Sequence, residues 1–261
     1  MVLPAHGIRG PSAMWAAEPA ALAMRGMDLS SAHLPEIVWH PSPNCGARRC
    51  GAVPDILLIH FTNMTSAEAA VARLCDAASQ VSCHYVIGED GRLWQLVDEA
   101  QRAWHAGQGR WGDVIDVNSR SIGIELANCK SRPFPEPQMR VLERLMRCIM
   151  ARWDIAPARV VGHSDIAPDR KDDPGPCFDW RRLALQGLSV WHGAGAFSEP
   201  SAFRDLAGQI GYGAEFSDAA VLAALRLRWR PWARGPLALA DMAVLADIAA
   251  RFPVDRNEQG A

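Results

Sequence analysis

The sequence predicts an α/β protein, with a central mixed β-sheet flanked by helices and a small C-terminal three-helix module. Three observations carry this. Short apolar runs with β character alternate with amphipathic helical patterns, the order expected of a sheet covered by helices. Two of the runs are joined by the Asp90-Gly91 turn, so at least one pairing is antiparallel and the sheet is mixed. After Trp191 the strand pattern stops and only helical spacing remains.

The elements follow in chain order. "HPSPNCGARRCGAVP" (His40–Pro54) is a loop with turn residues throughout. "DILLIHFT" (Asp55–Thr62) reads as a buried central strand. "SAEAAVARLCD" (Ser66–Asp76) reads as a helix, with Ser66 as N-cap and Ala70, Val71 and Leu74 on its inner face. "CHYVIGEDGRLWQLV" (Cys83–Val97) is a hairpin, and "SRSIGIELAN" (Ser119–Asn128) another buried strand. "PEPQMRVLERLMRCIMARW" (Pro135–Trp153) is a long helix with Val141, Leu142, Leu145, Ile149 and Trp153 on one face. "RVVGHS" (Arg159–Ser164) is a last short strand. It runs into "GHSDIAPDRKDDPGP" (Gly162–Pro176), a polar, proline-stiffened segment with no helical or strand period.

These readings divide the chain into an N-terminal extension (1–36), a main domain (37–191), a linker (192–200) and a helical module (201–255). Residues 1–36 are expected to be poorly ordered. Their Ala- and Met-rich start lacks a clean signal-peptide core, and Met14, Met24 and Met27 each offer an alternative start. The module's segments are Ser201–Gly211, Ser217–Trp229 and Leu239–Phe252. A core that small is near the limit for independent folding, so the module is expected to dock on the main domain. Residues 198–261 are nevertheless expected to be dispensable for the chemistry.

Hydrophobic residues make up 49% and charged residues 21% of the 261 residues, a mixture that can bury a core. A net charge of −2 gives no pull toward nucleic acid or an anionic membrane. No stretch is long and apolar enough to span a membrane. Seven irregularly spaced cysteines argue against a disulfide framework and for a reducing compartment. A cytoplasmic location is therefore expected, with the periplasm as the alternative. Oligomeric state is not legible.

His60 ends one apolar strand and His163 another. Strand ends of α/β sheets are where ligands and catalytic groups gather. Asp173 follows ten residues after His163 on the stiff loop. Two imidazoles and one carboxylate suit a zinc site of three protein ligands with the fourth position left for water. Structural zinc sites are normally closed by four protein ligands, and only three stand out here.

"GHSDIAPDRKDDPGPCFDW" resembles the signature of zinc-dependent N-acetylmuramoyl-L-alanine amidases, the type 2 amidase and peptidoglycan recognition protein superfamily. "LLIHFT", "SCHYVI", "RAWHAG" and "NSRSIGIEL" match further motifs of that family in the same order, from about His40 to Trp191. The resemblance implies one Zn2+ per chain on His60, His163 and Asp173, a catalytic glutamate at Glu125 and an active-site lysine at Lys171. It also implies a substrate of peptidoglycan or muropeptides. The bond cleaved would be the amide between the lactyl group of N-acetylmuramic acid and L-alanine of the stem peptide. Zinc lowers the pKa of a water from 15.7 toward ~7 and polarises the carbonyl. Glu125 would move the proton, and Lys171 would stabilise the oxyanion.

The glycine-rich "AWHAGQGRWG" (Ala103–Gly112) would lie beside the active site, with Trp104 and His105 meeting substrate. Trp104 either stacks on a sugar ring or packs into the core. Asn63 would shape the groove. His84 and Tyr85 are expected to pack and hydrogen-bond behind the site, and Asp165 to orient the turn. The helical module resembles, loosely, the peptidoglycan-binding domain appended to some of these amidases. The rival reading is a non-catalytic peptidoglycan-recognition module. Retention of all three metal-ligand positions favours the enzyme.

Overall fold

The computed structural model describes residues 34–193 and 198–254. The expectations for residues 1–33, for 194–197 of the linker and for the chain beyond 254 fall outside the described residues. The sheet is built from β1 (Ile37–Trp39), β3 (Ile56–Phe61), β4 (Tyr85–Ile87), β5 (Leu93–Gln95), β7 (Ser121–Leu126) and β8 (Val160–Gly162). Its six strands run in the order β1-β5-β4-β7-β3-β8. Only the β4–β5 hairpin is antiparallel; the other neighbours are parallel. A separate antiparallel ribbon pairs β2 (Cys45–Ala47) with β6 (Gln101–Ala103).

The helices start and stop where the sequence provides caps. In α1 (Ala67–Leu74) the Ser66 hydroxyl accepts from the Ala69 amide at 3.1 Å. The long α3 (Glu136–Trp153) carries proline in its first turn, where a missing N–H costs nothing, and ends at Asp154 in the left-handed region. The remaining short helices of the main domain are α2 (Val117–Arg120), α4 (His163–Ile166) and α5 (Trp180–Leu185). The turn α4 lies in the segment read as irregular. It forms because the Asp165 carboxylate reaches back to the Gly162 amide at 2.8 Å, a cap that hydrophobic periodicity does not reveal.

Alternation along the central strands sorts the core. Leu57 and Ile59 of β3, with Ile122, Ile124 and Leu126 of β7, pack against Leu142, Leu145, Met146 and Ile149 of α3. Ile56 and Leu58 of β3 belong to the opposite layer. Successive strand residues point to opposite faces, so His60 and Glu125 fall on the face away from α3.

The C-terminal helices are α6 (Phe203–Gln209), α7 (Asp218–Trp229) and α8 (Leu239–Arg251). Their buried residues, among them Val221, Leu225, Trp229, Met242 and Leu245, join one continuous apolar cluster with Ile56, Leu58, Val161 and Ile166 of the main domain. The module therefore shares a core with the sheet, as its small size requires.

Candidate active site

The strand ends bring the predicted ligands together. His60 Nδ1 lies 3.0 Å from His163 Nδ1 and 2.9 Å from Asp173 Oδ2, and His163 Nδ1 lies 3.1 Å from the same oxygen. All three residues are buried, and among the described residues they form the one group of donors arranged to hold a metal ion. Two imidazole nitrogens and a carboxylate oxygen make a donor set that suits zinc.

The other ring nitrogens are already engaged. His163 Nε2 donates to the Ala106 carbonyl at 3.1 Å. His60 Nε2 lies 3.0 Å from His105 Nδ1, and His105 Nε2 lies 3.4 Å from Ser121 Oγ, which itself donates to the Val117 carbonyl at 2.6 Å. One assignment of protons satisfies the whole chain: His60 donates to His105, His105 to Ser121, and Ser121 to the backbone. It leaves Nδ1 of both ligand histidines free for a cation. Burial lowers the His60 pKa to about 4, with Asp173 opposing the shift, so the ring is a neutral donor at physiological pH. Burial disfavours ionisation of Asp173, but hydrogen bonds from His163 and His60 outweigh it and hold the carboxyl below the usual range.

Glu125 stands beside this group. Its Oε2 is buried and has no hydrogen-bond partner. Burial, reinforced by the charge of Asp173 and partly offset by Lys171, pushes its pKa up to about 8. A carboxyl with one buried, unpaired oxygen beside three convergent donor groups has the placement of a proton-transfer group. Lys171 is exposed at the rim. Asp172 pairs with Lys130, and Asp169 is exposed to solvent.

The three donor residues, Glu125 and Lys171 line an open cleft of about 630 Å³ together with Asn63, Arg73, Trp104 and Arg170. Asn63 adopts φ 49° and donates its amide to the Asn128 carbonyl at 2.9 Å. Trp104 is partly exposed in the cleft wall. His105, expected to meet substrate, borders the cleft but is only 9% exposed, with both ring nitrogens turned inward to His60 and Ser121. Gly123 makes this possible, because a Cβ there would lie 2.6 Å from the His105 ring. The spacing Ser121, Gly123, Glu125 was the available signal, since period-2 alternation puts all three on one face. His84 accepts from the Gly123 amide at 3.0 Å and lies 3.1 Å from the Gln101 carbonyl, while Tyr85 donates to Glu99 at 2.7 Å.

The chain is similar to known proteins of one family. A family model described as N-acetylmuramoyl-L-alanine amidase matches residues 51–176. The N-acetylmuramoyl-L-alanine amidase AmiD of Escherichia coli (strain K12) is 43% identical over a match of 152 residues, with coverage of 52% of this chain and 54% of AmiD. The chain thus spans about half the length of that relative. The 1,6-anhydro-N-acetylmuramyl-L-alanine amidase AmpD of Salmonella typhimurium (strain SL1344) is 34% identical over 167 residues, covering 57% of this chain and 89% of AmpD. Among solved structures, E. coli AmiD in complex with anhydro-N-acetylmuramic acid-L-Ala-D-gamma-Glu-L-Lys superposes with a TM-score of 0.69 at 32% identity, covering 78% of this chain and 93% of that one. AmpDh3 from Pseudomonas aeruginosa in complex with anhydromuramic pentapeptide gives a TM-score of 0.71 at 28% identity, with coverage of 78% and 94%. On these matches, the chain belongs to the N-acetylmuramoyl-L-alanine amidase family.

Proposed function

We propose that this protein hydrolyses the amide between the lactyl group of N-acetylmuramic acid and L-alanine of peptidoglycan stem peptides, using one zinc ion. The observation that carries this reading is Glu125, a half-buried carboxyl whose buried Oε2 has no partner, beside three convergent atoms that could hold a metal. A recognition module without chemistry would gain nothing from that burial, which is costly unless the group is used.

His60, His163 and Asp173 would hold the zinc through Nδ1, Nδ1 and Oδ2. The ion supplies Lewis acidity that polarises the amide carbonyl and acidifies a water. Glu125 takes a proton from the attacking water as oxygen bonds to the carbonyl carbon. It returns that proton to the nitrogen as the C–N bond breaks. Lys171 offers its charge to the carbonyl oxygen as that oxygen becomes negative. His105 and the Ala106 carbonyl orient the two ligand imidazoles. Trp104 and Asn63, on the cleft wall, contact the muramoyl peptide. All the side chains named in this reaction lie within residues 37–191. Among the described residues no helix is long and apolar enough to cross a membrane.

The test is incubation of the zinc-loaded protein with an anhydromuramoyl tripeptide, read by mass spectrometry. Release of free tripeptide with an L-alanine amino terminus is expected. Cleavage between two amino acids of the stem, or no cleavage by metal-loaded protein, would overturn the assignment.

A further inference from the structure

A buried ionic cluster joins the C-terminal helices to the loop that carries His163. Asp165, fully buried, receives three hydrogen bonds. Its Oδ2 accepts from the Gly162 amide at 2.8 Å and from Arg228 at 2.9 Å, and its Oδ1 accepts from the Tyr212 hydroxyl at 2.7 Å. Arg228 lies on α7 and is 2% exposed. Its second terminal nitrogen donates to the Val160 carbonyl of β8 at 2.7 Å. Its guanidinium sits 4.7 Å from the Trp180 ring and 4.8 Å from the Trp229 ring. A buried guanidinium is costly unless its charge is met, and here Asp165 and Val160 of the main domain meet the charge and both terminal nitrogens, while the buried Nε has no hydrogen-bond partner.

The turn that Asp165 closes carries the site. The Ser164 amide donates to the Asp173 carbonyl at 2.9 Å, tying one ligand's turn to the other ligand. The Ala167 amide donates to the His163 carbonyl, and the Lys171 amide to the Ala167 carbonyl. His163, Lys171 and Asp173 therefore hang from one short turn. The glycine-rich loop is held from the same side: the Gly112 amide donates to the Gly211 carbonyl at 2.8 Å, and the Trp111 and Tyr212 rings meet edge to face at 5.4 Å. Gly211, at φ 113°, has no room for a Cβ against the Trp111 ring.

We propose that Arg228 and Tyr212 are positioning residues of the metal centre, which fix the direction of the His163 imidazole by gripping Asp165. Residues 198–254 are then part of the catalytic apparatus rather than a dispensable appendage. This rests on the metal-site reading above. Arg226 provides an internal comparison. It lies on the same helix, pairs with buried Asp241 of α8 at 2.6 Å, and makes no contact with Asp165. Breaking that pair disturbs the module without touching the turn.

The experiment uses full-length protein loaded with cobalt(II) in place of zinc. The visible ligand-field spectrum reports ligand geometry, and competition titration reports zinc affinity. Arg228→Met and Tyr212→Phe are expected to alter the cobalt spectrum and weaken zinc binding roughly 10–100-fold, the range for losing a partner behind a metal ligand. Arg226→Met is expected to lower the melting temperature yet leave the cobalt spectrum and zinc affinity as in wild type. If Arg228→Met fails to fold, Tyr212→Phe, which removes a single hydroxyl, decides the matter. Wild-type spectrum and affinity in folded Tyr212→Phe and Arg228→Met would overturn the proposal. So would an equal spectral change in Arg226→Met. Wild-type protein that binds neither metal would overturn the metal-site reading itself.

Discussion

His60 and Glu125 are Cα partners on one rung of the parallel ladder between β3 and β7. Each follows a residue that packs toward α3, Ile59 in one strand and Ile124 in the other. The same alternation that buries those isoleucines turns the His60 ring and the Glu125 carboxyl toward one cleft. Their spacing is fixed by the sheet and not by a loop.

From this follows the behaviour of Glu125→Gln. The amide keeps the shape of the side chain but cannot accept a proton from water. Turnover of a muramoyl peptide is expected to fall by roughly 10²–10⁴-fold, with zinc content by elemental analysis unchanged. Near-normal turnover in the zinc-loaded variant would assign proton transfer to another group.

Lys171→Met should also slow turnover, through kcat rather than metal content. The exposed position of Lys171 means that its loss leaves no buried group unpaired, so the fold should persist. A variant with wild-type kcat would remove Lys171 from the oxyanion's surroundings.

His163→Ala removes one of three ligands and the hydrogen bond to the Ala106 carbonyl. Tight zinc binding should be lost on dialysis against a chelator, whereas wild-type protein retains the metal longer. Zinc held equally by both would mean that the site lies elsewhere.

Gly123→Ala tests the support behind His60. The added methyl would sit 2.6 Å from the nearest atom of the His105 ring, so the ring must move and His60 Nε2 must lose its partner. Zinc affinity should drop by roughly 10–100-fold, and His105→Gln should show a loss of similar direction. A Gly123→Ala protein with unchanged affinity would separate His105 from the metal centre.

In the metal-free protein, pH should act in two opposite windows. Burial lowers the His84 imidazole from 6.5 to about 3. Between those values the unfolded chain binds a proton that the folded chain refuses, so this contribution is full above pH 6.5 and is lost as the pH falls. Burial raises Glu125 from 4.5 to about 8. There the folded chain holds the extra proton, so the contribution is full below pH 4.5 and is lost as the pH rises toward 8. Urea unfolding of chelator-treated protein across pH 4–9 should show Glu125→Gln flattening the alkaline side and His84→Gln the acid side. Identical profiles for wild type and both variants would contradict both assignments.

Local pattern alone determined much of this protein. The apolar runs at 56–61 and 121–126, the Asp90-Gly91 hairpin, the α3 stripe and the C-terminal helical segments are set by periodicity and turn chemistry, which act between near neighbours in sequence. The same runs fix the parity of His60 and Glu125, and the motif spacing marks His163, Lys171 and Asp173. What tertiary structure decided is which nitrogen of each histidine faces the site, that the His105 ring backs His60, and that Asp165 is held by Arg228, 63 residues away. Those outcomes depend on which groups share a buried space once the sheet and helices dock. A buried donor or charge must find its partner there, however distant in sequence that partner is.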